Sequence, residues 1–551
     1  MIHCPRFVHL TFMSIASWID RNVLSLGREM RISYLPPLMV YVAAGVSTLT
    51  NIVGTFFVKE YLGLSAEFLA ALGFWMGLPY VLKMPLGHLV DLLWRHKALL
   101  LYIGAALIAA SLAIMFALIA HTHAMRELLP IETWYVIAAL VAPIGYVLQD
   151  VVADAMTVEA VPRLDARGAP IADAERRLMN TTMQTLGRVA VIGGTLLVSA
   201  VNMAMFHNVQ ALSEGAKAAV YAQIYAIALL IPVVSVAGVL LQGVLLGRET
   251  RRLRALGLGN EELVRLRYGS DGLAEPNWWI LGGSLLFVMF SLGIGLTQHR
   301  YAAEIVFAGS MAIVLFLIAN LTRALDPSVR KTLIATLLVV FALRAVPSPG
   351  EGLNWWMIDE LKFDQPFFAL LSMIGAVITL LGMFIFRRFM AERSVVYIVG
   401  ALTVVNTVIS LPILAMYYGL HHLSAGITGG VVDARFIAVV NTAFESPLPQ
   451  IAMIPVLAWI AHSAPDALKA TYFAVMASFL NLALSAAQLG TKYLNGIFVV
   501  TREVRDVTAG RLIASADYSE LGNLLVAVLL IGFALPMAAI VFVKLARLRS
   551  A

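Results

Sequence analysis

Two carboxylates four residues apart, Asp150 and Asp154, sit in an otherwise apolar stretch with Tyr146, Gln149 and Glu159 around them. On a helix this spacing puts both acids on one face, one turn apart. Carboxylates held together in a low dielectric repel, so one of them is expected to hold a proton, as a proton-coupling site requires. The alternative is structural: an ion pair with Lys83 or Arg188 that only holds helices together. Those two are the deepest of five basic residues within apolar stretches, the others being Arg344, Arg435 and Lys492. A charge inside a bilayer is unfavourable by roughly 2.5–3.5 kcal/mol on insertion scales, so such groups tend to face a cavity and carry function. Lys83 and Arg188 are therefore candidate partners for the carboxylate of a small-molecule substrate. Gln149 beside them, and the rings of Trp75, Tyr80 and Trp356, would complete a site for a flat anion. Arg435 and Lys492 lie nearer the ends of their stretches, where a long side chain reaches the interface.

The chain that must position these groups has 551 residues, 60% of them hydrophobic and only 13% charged, with a mean hydropathy of +0.85. Soluble proteins carry roughly 25% charged residues, which excludes a soluble enzyme, a disordered chain and a nucleic-acid-binding domain. The composition predicts an all-α polytopic membrane protein whose medium is the lipid bilayer. The formal charge of +6 then reports orientation rather than a nucleic-acid partner. Apolar stretches bounded by charge predict fourteen spans, near 35–58, 65–91, 98–120, 132–158, 180–204, 218–246, 277–298, 302–322, 332–357, 365–386, 395–418, 432–461, 467–500 and 518–546. Basic residues gather on one side of this alternation, most densely at Arg248, Arg251, Arg252, Arg254, Arg265 and Arg267. Both termini are therefore expected in the cytoplasm, with residues 1–33 an interfacial segment. The single Cys4 allows no intrachain disulfide and no cysteine metal site. No phosphate-cradling glycine loop, nucleophile elbow or zinc spacing occurs, so no cofactor, metal or enzymatic activity is expected.

The two ends of the chain resemble each other. Phe56-Phe57 through Leu62, Leu64, Ser65 and Phe68 matches Trp355-Trp356 through Leu361, Phe363, Asp364 and Phe367 at a constant offset of 299. Each stretch is a span ending in aromatics, then an acid (Glu60; Asp359) and a short loop. Two six-helix halves follow, 34–246 and 332–551, with a cytoplasmic loop and an extra two-helix insertion over 247–331. Repeated six-helix halves with the substrate site between them are the signature of the major facilitator fold. Lying outside the repeat, the hairpin at 277–322 is expected to be dispensable for folding.

Gly87-x-x-x-Asp91-x-x-x-Arg95-x-Lys97, at the inner end of the second span, looks like the cytoplasmic loop motif of that superfamily. Its glycine is expected to admit a neighbouring helix and its acid to pair with a basic group or helix end, gating the cytoplasmic side. The plain alternative is an ordinary basic flank. Pro347, Pro349 and Gly350 interrupt another span just before Glu351. Irregular backbone at membrane depth is tolerated where it lines a cavity, which makes Glu351 a candidate cavity carboxylate. Asn441, Glu445, Pro447 and Gln450, and likewise Asn481 and Gln488, form polar faces that either line the route or bond to neighbouring helices.

At these residues the chain resembles the folate–biopterin transporter family of the major facilitator superfamily. The resemblance is carried by Gly77-Leu78-Pro79 with Lys83, Gly87 and Asp91; by Gly145-Tyr146 with Gln149-Asp150-Val151-Val152-Ala153-Asp154-Ala155 and Glu159; by Pro347-Ser348-Pro349; and by Ala464-Pro465 through Ala470-Thr471-Tyr472-Phe473-Ala474 to Asn481. It implies a secondary transporter of folates or reduced pterins driven by protons, and it supports Lys83, Asp91, Asp150, Asp154 and Arg188 as functional. Asp466 and Lys469 depart from the family pattern, which has a glycine and a glutamate in that loop, and the hairpin departs from the usual twelve-span plan. The expected function is proton-coupled secondary transport of a folate- or biopterin-like or other anionic organic metabolite by a monomer in the bacterial inner membrane. The competing readings are an exporter of another organic solute on the same fold and a non-transporting membrane assembly factor. Paired acids inside the bilayer speak against the latter.

Overall fold

Prolines shape the first span before any packing does. Pro36 and Pro37 sit in the opening turn of α1 (Leu35–Val46), where the missing N–H has no helical partner to lose. A 3-10 turn, Ser47–Thr50, then leads into α2 (Asn51–Tyr61). The first half continues with α3 (Ala66–Val81), α4 (Lys83–Leu92), α5 (Lys97–Ala120), α6 (Ile131–Ala160), α7 (Asp173–Met205), α8 (Glu214–Ala228) and α9 (Leu230–Ala255), with a short helix Thr122–Leu128 between α5 and α6. A hairpin of α10 (Trp278–Leu296) and α11 (Ala302–Leu321) follows. The second half has α12 (Pro327–Arg344), α13 (Glu351–Asp359), α14 (Gln365–Ile385), α15 (Val395–Tyr417), α16 (Ala434–Glu445), α17 (Leu448–Ser463), α18 (Lys469–Ile497) and α19 (Leu521–Leu545), with a short helix Leu420–Ile427 between α15 and α16. These elements come from a computed structural model that describes residues 25–546 and 548, apart from 63, 82, 94–95, 166–168, 258, 260–277, 298, 324–325, 387–388, 391–392, 464–468 and 506–511. Arg95, Arg265, Arg267, Asp466 and most of the interfacial segment expected at 1–33 lie outside the described residues.

The fold is all-helical, with ten helices long and apolar enough to cross a membrane among the described residues. The other four expected stretches are helical but differ in character. The stretch at 332–357 breaks between α12 and α13, where Gly350 adopts φ 72°, a conformation glycine reaches without strain. The stretch at 432–461 breaks at Ser446-Pro447, between α16 and α17. Polar residues interrupt α18, and the apolar run of α10 covers only Leu281–Gly295 among the described residues. One element was not foreseen: between α18 and α19, β1 (Val504–Arg505) pairs antiparallel with β2 (Leu512–Ala514), below a bridge between Thr501 and Asp517.

The halves meet in a crossed arrangement. The second helix of each packs on the fifth of the other: α3 and α4 lie along α18, and α7 lies along α14. Within the first half, close approach is set by glycines. A Cβ at Gly104 would stand 2.7 Å from the Gly145 carbonyl and one at Gly145 2.6 Å from that of Gly104, so α5 and α6 touch backbone to backbone. Gly45 and Gly194 bring α1 and α7 together in the same way.

The hairpin is not the separable appendage its place outside the repeat led us to expect. Phe287, Val306, Val314 and Ile318 are buried in one cluster with Phe74 of α3, Val339 of α12 and Met476 of α18. Its outer face, including Trp278, Trp279 and Met289, stays exposed for lipid. Removing the hairpin would strip a continuous apolar core.

Candidate functional site

α3 ends at Val81 and α4 begins at Lys83, with Pro79 and Pro85 on either side, each removing a backbone donor. The Lys83 ammonium reaches α6, where Nζ donates to Asp150 Oδ2 at 2.7 Å and lies 2.9 Å from Asp154 Oδ2. The second oxygen of Asp154 accepts from the Tyr41 hydroxyl of α1 at 2.9 Å. Tyr41 is held in turn by α7, where a methyl group at Gly187 would fall 2.8 Å from its ring. The next residue, Arg188, is exposed and acts electrostatically on both Asp150 and Tyr41. Tyr80 also lies within electrostatic reach of Asp150, and its carbonyl accepts from Asn481 of the other half at 3.0 Å.

The two acids therefore do not face each other unscreened, as their spacing alone suggested. Lys83 sits between them, and two carboxylates with one ammonium leave a formal charge of −1. The Lys83 side chain is 24% exposed and those of Asp150 and Asp154 are 37% and 47% exposed, so the cluster opens onto space between the helices.

Other singled-out residues are placed elsewhere. Gln149 is buried, and its Oε1 accepts from Ser235 of α9 at 3.0 Å while its Cγ packs near Gly104, so it faces α5 and α9 rather than Lys83. Trp75 stands edge-on to Phe74 and against Gly295 of the hairpin. Trp356 is buried with Ala66, Met416 and Tyr518. Ala66 precedes Lys83 by seventeen residues, roughly 25 Å at 1.5 Å of rise per residue, so Trp356 and Lys83 are not brought together. Glu351 opens α13, accepts from Asn354 at 3.2 Å, and acts across the halves on Tyr135. Arg344 donates to the Leu480 carbonyl at 3.1 Å. Lys492 pairs with Glu304 of the hairpin at 2.7 Å, and Arg435 lies 3.6 Å from Asp364.

The loop motif is divided. Lys97 is buried and bonds Glu159 at 2.5 Å, while Gln242 of α9 donates to the other Glu159 oxygen at 2.6 Å. Glu159 is five residues beyond Asp154, roughly 140° around the helix, and so leaves the Lys83 face altogether. Among the described residues, a Cβ at Gly87 would meet nothing within 4 Å, so the close helix approach expected there is not formed among them. Asp91 lies in the last turn of α4, its side chain outside the described set.

The opposite end holds contacts that no motif announced. Lys59 of the first half pairs with Asp359 of the second at 2.5 Å, and the Tyr518 hydroxyl donates to the same carboxylate at 2.5 Å. Burial, and then the bond to Asp359, hold the Tyr518 phenol above its ordinary range. Gln210 donates to Gln365 at 2.7 Å and Gln365 to Tyr221 at 2.8 Å, again across the halves. Phe56 and Phe368 meet edge-on at 5.9 Å.

Residues 44–548 match the profile of the BT1 family. The chain belongs to the BT1 family. A folate-biopterin transporter of Synechocystis sp. (strain ATCC 27184 / PCC 6803 / Kazusa) is 26% identical over 154 residues, a match spanning 28% of this chain and 30% of that relative. Similar solved structures include a POT family transporter in complex with a thioalcohol-conjugated peptide, at 13% identity and TM-score 0.55, covering 95% of this chain and 96% of that one. They also include the nucleoside transporter NupG, at 11% identity and TM-score 0.52, covering 93% and 98%. These likenesses establish the major facilitator fold. This BT1-family protein is an integral membrane protein, and the proteins it matches are transporters.

Proposed function

We propose that the protein is a secondary active transporter that couples proton movement to an anionic organic metabolite of the folate or biopterin class, by alternating access. The observation supporting this reading is the position of Lys83, bonded to Asp150 and Asp154 at once. While both acids are ionised they hold the ammonium, and an anionic substrate must compete with them. A proton on one acid weakens that hold and leaves Lys83, with exposed Arg188 beside it, to meet a substrate carboxylate. Proton binding and anion binding then favour each other, which is a coupling free energy between sites. Tyr41 gives Asp154 a partner through the exchange, and Tyr80 offers an aromatic edge near Asp150. Glu351, on the broken helix of the second half, is the cavity carboxylate facing the other side of the route.

In the same reading the halves 34–246 and 332–551 rock about the site, and residues 247–331 supply the loop and hairpin. The protein works as a monomer in the bacterial inner membrane with fourteen spans and both termini in the cytoplasm. Gly87 and Asp91, at the inner end of α4, stand at the cytoplasmic gate, and Lys97 braces the first half behind them. Uptake of radiolabelled folate and biopterin into vesicles holding the purified protein, with and without an inward proton gradient, tests the substrate class and the coupling together. Gradient-stimulated uptake of either compound is expected. Uptake of neither, or uptake indifferent to the gradient, would contradict the substrate class or the coupling respectively.

A further inference from the structure

Of the contacts that join the halves at the Lys59 end, those of Arg502 stand apart. Arg502 follows α18 in the second half, is 3% exposed, and reaches across to the first half. Its Nε donates to the Lys59 carbonyl and its Nη1 to the Leu64 carbonyl, each at 2.7 Å, while its guanidinium carbon lies 4.7 Å from the centre of the Trp355 ring. The Lys59 carbonyl belongs to the last turn of α2, where helix geometry leaves carbonyls without partners and the dipole favours a cation. A guanidinium is suited to this place because its fork can bond two acceptors at once and its face can lie on a ring. The bridge between Thr501 and Asp517 and the β1–β2 pair hold the loop on the second half. Trp355, beneath the guanidinium, is the repeat counterpart of Phe56.

We infer that Arg502 is the positioning residue that keeps the Lys59 end of the transporter shut, by capping the end of α2 across the interface between the halves. The inference rests on the alternating-access reading, since only a cycle that parts the halves at this end requires the cap to leave. Its bonds go to backbone carbonyls, so they form or break with the approach of the halves and no side chain of the first half can substitute for them. Lys59–Asp359, with side chains 13% and 23% exposed, is the wetter and weaker companion.

The test uses pulsed electron–electron distance measurements on full-length protein in a Cys4→Ser background. One spin-label pair, Leu128→Cys with Leu423→Cys, spans the halves at the Lys59 end; a second, Leu256→Cys with Phe386→Cys, spans them at the opposite end. All four positions are exposed. Arg502→Ala is expected to raise the ratio of open to closed separations at the Lys59 end roughly ten- to hundredfold, the loss expected for charge-assisted hydrogen bonds, and to close the opposite end in step. Arg502→Lys should fall between, and Asp359→Asn should shift the ratio in the same direction by less. Should Arg502→Ala fail to fold, Arg502→Lys carries the decision. Unshifted separations in the Arg502 variants, in protein whose wild type visits both states, would overturn the assignment to Arg502 alone. A transporting wild type that never shows a second separation at either end would overturn alternating access, and the role of Arg502 with it.

Discussion

The Lys97 end and the Lys59 end carry the same chemistry and different mechanics. Each has a lysine 2.5 Å from a carboxylate whose other oxygen accepts from a neutral side chain: Lys97 with Glu159 and Gln242, Lys59 with Asp359 and Tyr518. The first set lies wholly within one half, joining the start of α5, the end of α6 and α9. The second joins the two halves. A pair inside a rigid body survives every position of that body, whereas a pair between bodies must break when they part. Which half each partner belongs to, and not the strength of the pair, separates a brace from a gate.

The largest effect expected on stability comes from breaking the brace. Glu159→Gln removes the charged acceptor that the buried Lys97 ammonium and Gln242 share, which should lower stability by about 2–3 kcal/mol while the ratio of open to closed states at the Lys59 end stays that of the wild type. Thermal unfolding in detergent and the distance measurement check the two halves of that statement. Lys59→Ala should act the other way round. It should lower stability by only about 1–2 kcal/mol, as loss of one partly buried charged contact does, and favour opening of the Lys59 end. Arg435→Ala is expected to do least, under about 1 kcal/mol and no change of state, because Arg435 is 47% exposed and 3.6 Å from Asp364.

Acidity sharpens the contrast further. The Tyr518 phenol has its pKa raised in the folded protein by burial and by Asp359. A raised pKa gives stability that is full below the unfolded value, about 10 for tyrosine, and is lost as pH climbs through the folded value. Tyr518 therefore contributes no pH dependence between about pH 6 and 9. In an Asp150→Asn, Asp154→Asn double variant, the open-to-closed ratio at the Lys59 end should be flat over that window. A slope there would mean that a group outside the Lys83 cluster senses protons.

Much of this arrangement was legible in the residues. Period and polarity mark the helices, the offset of 299 marks the halves, and the spacing of Asp150 and Asp154 marks one helix face. Pairing across distant helices was legible only as an open alternative, with Lys83 or Arg188 as the partner of the acids. Lys83 lies 67 positions from Asp150, and nothing local distinguishes a lysine that separates two acids from one that binds substrate directly. Glu159 read as a third member of the acidic group because a five-residue step looks close in the sequence, while on a helix it turns the side chain away. Tyr41 had no signal beyond its place in an apolar stretch. Arg502 lies in the loop between α18 and α19, where arginine is ordinarily solvated, and only the fold reveals that it reaches the end of α2. The hairpin misled in the opposite sense: absence from the repeat says nothing about which core its apolar face enters.

The central claim is that the acids beside Lys83 carry the proton, and it is tested most directly by comparing two fluxes in one set of vesicles. Asp154→Asn should abolish accumulation of substrate driven by a pH gradient. Exchange of labelled for unlabelled substrate at equilibrium should persist, since exchange needs no net proton movement. Lys83→Ala should weaken both fluxes, because in the proposed mechanism Lys83 is the group that meets the substrate. If Asp150→Asn and Asp154→Asn each retain full gradient-driven accumulation, the acids only hold α4 to α6, and the coupling role assigned to them is wrong.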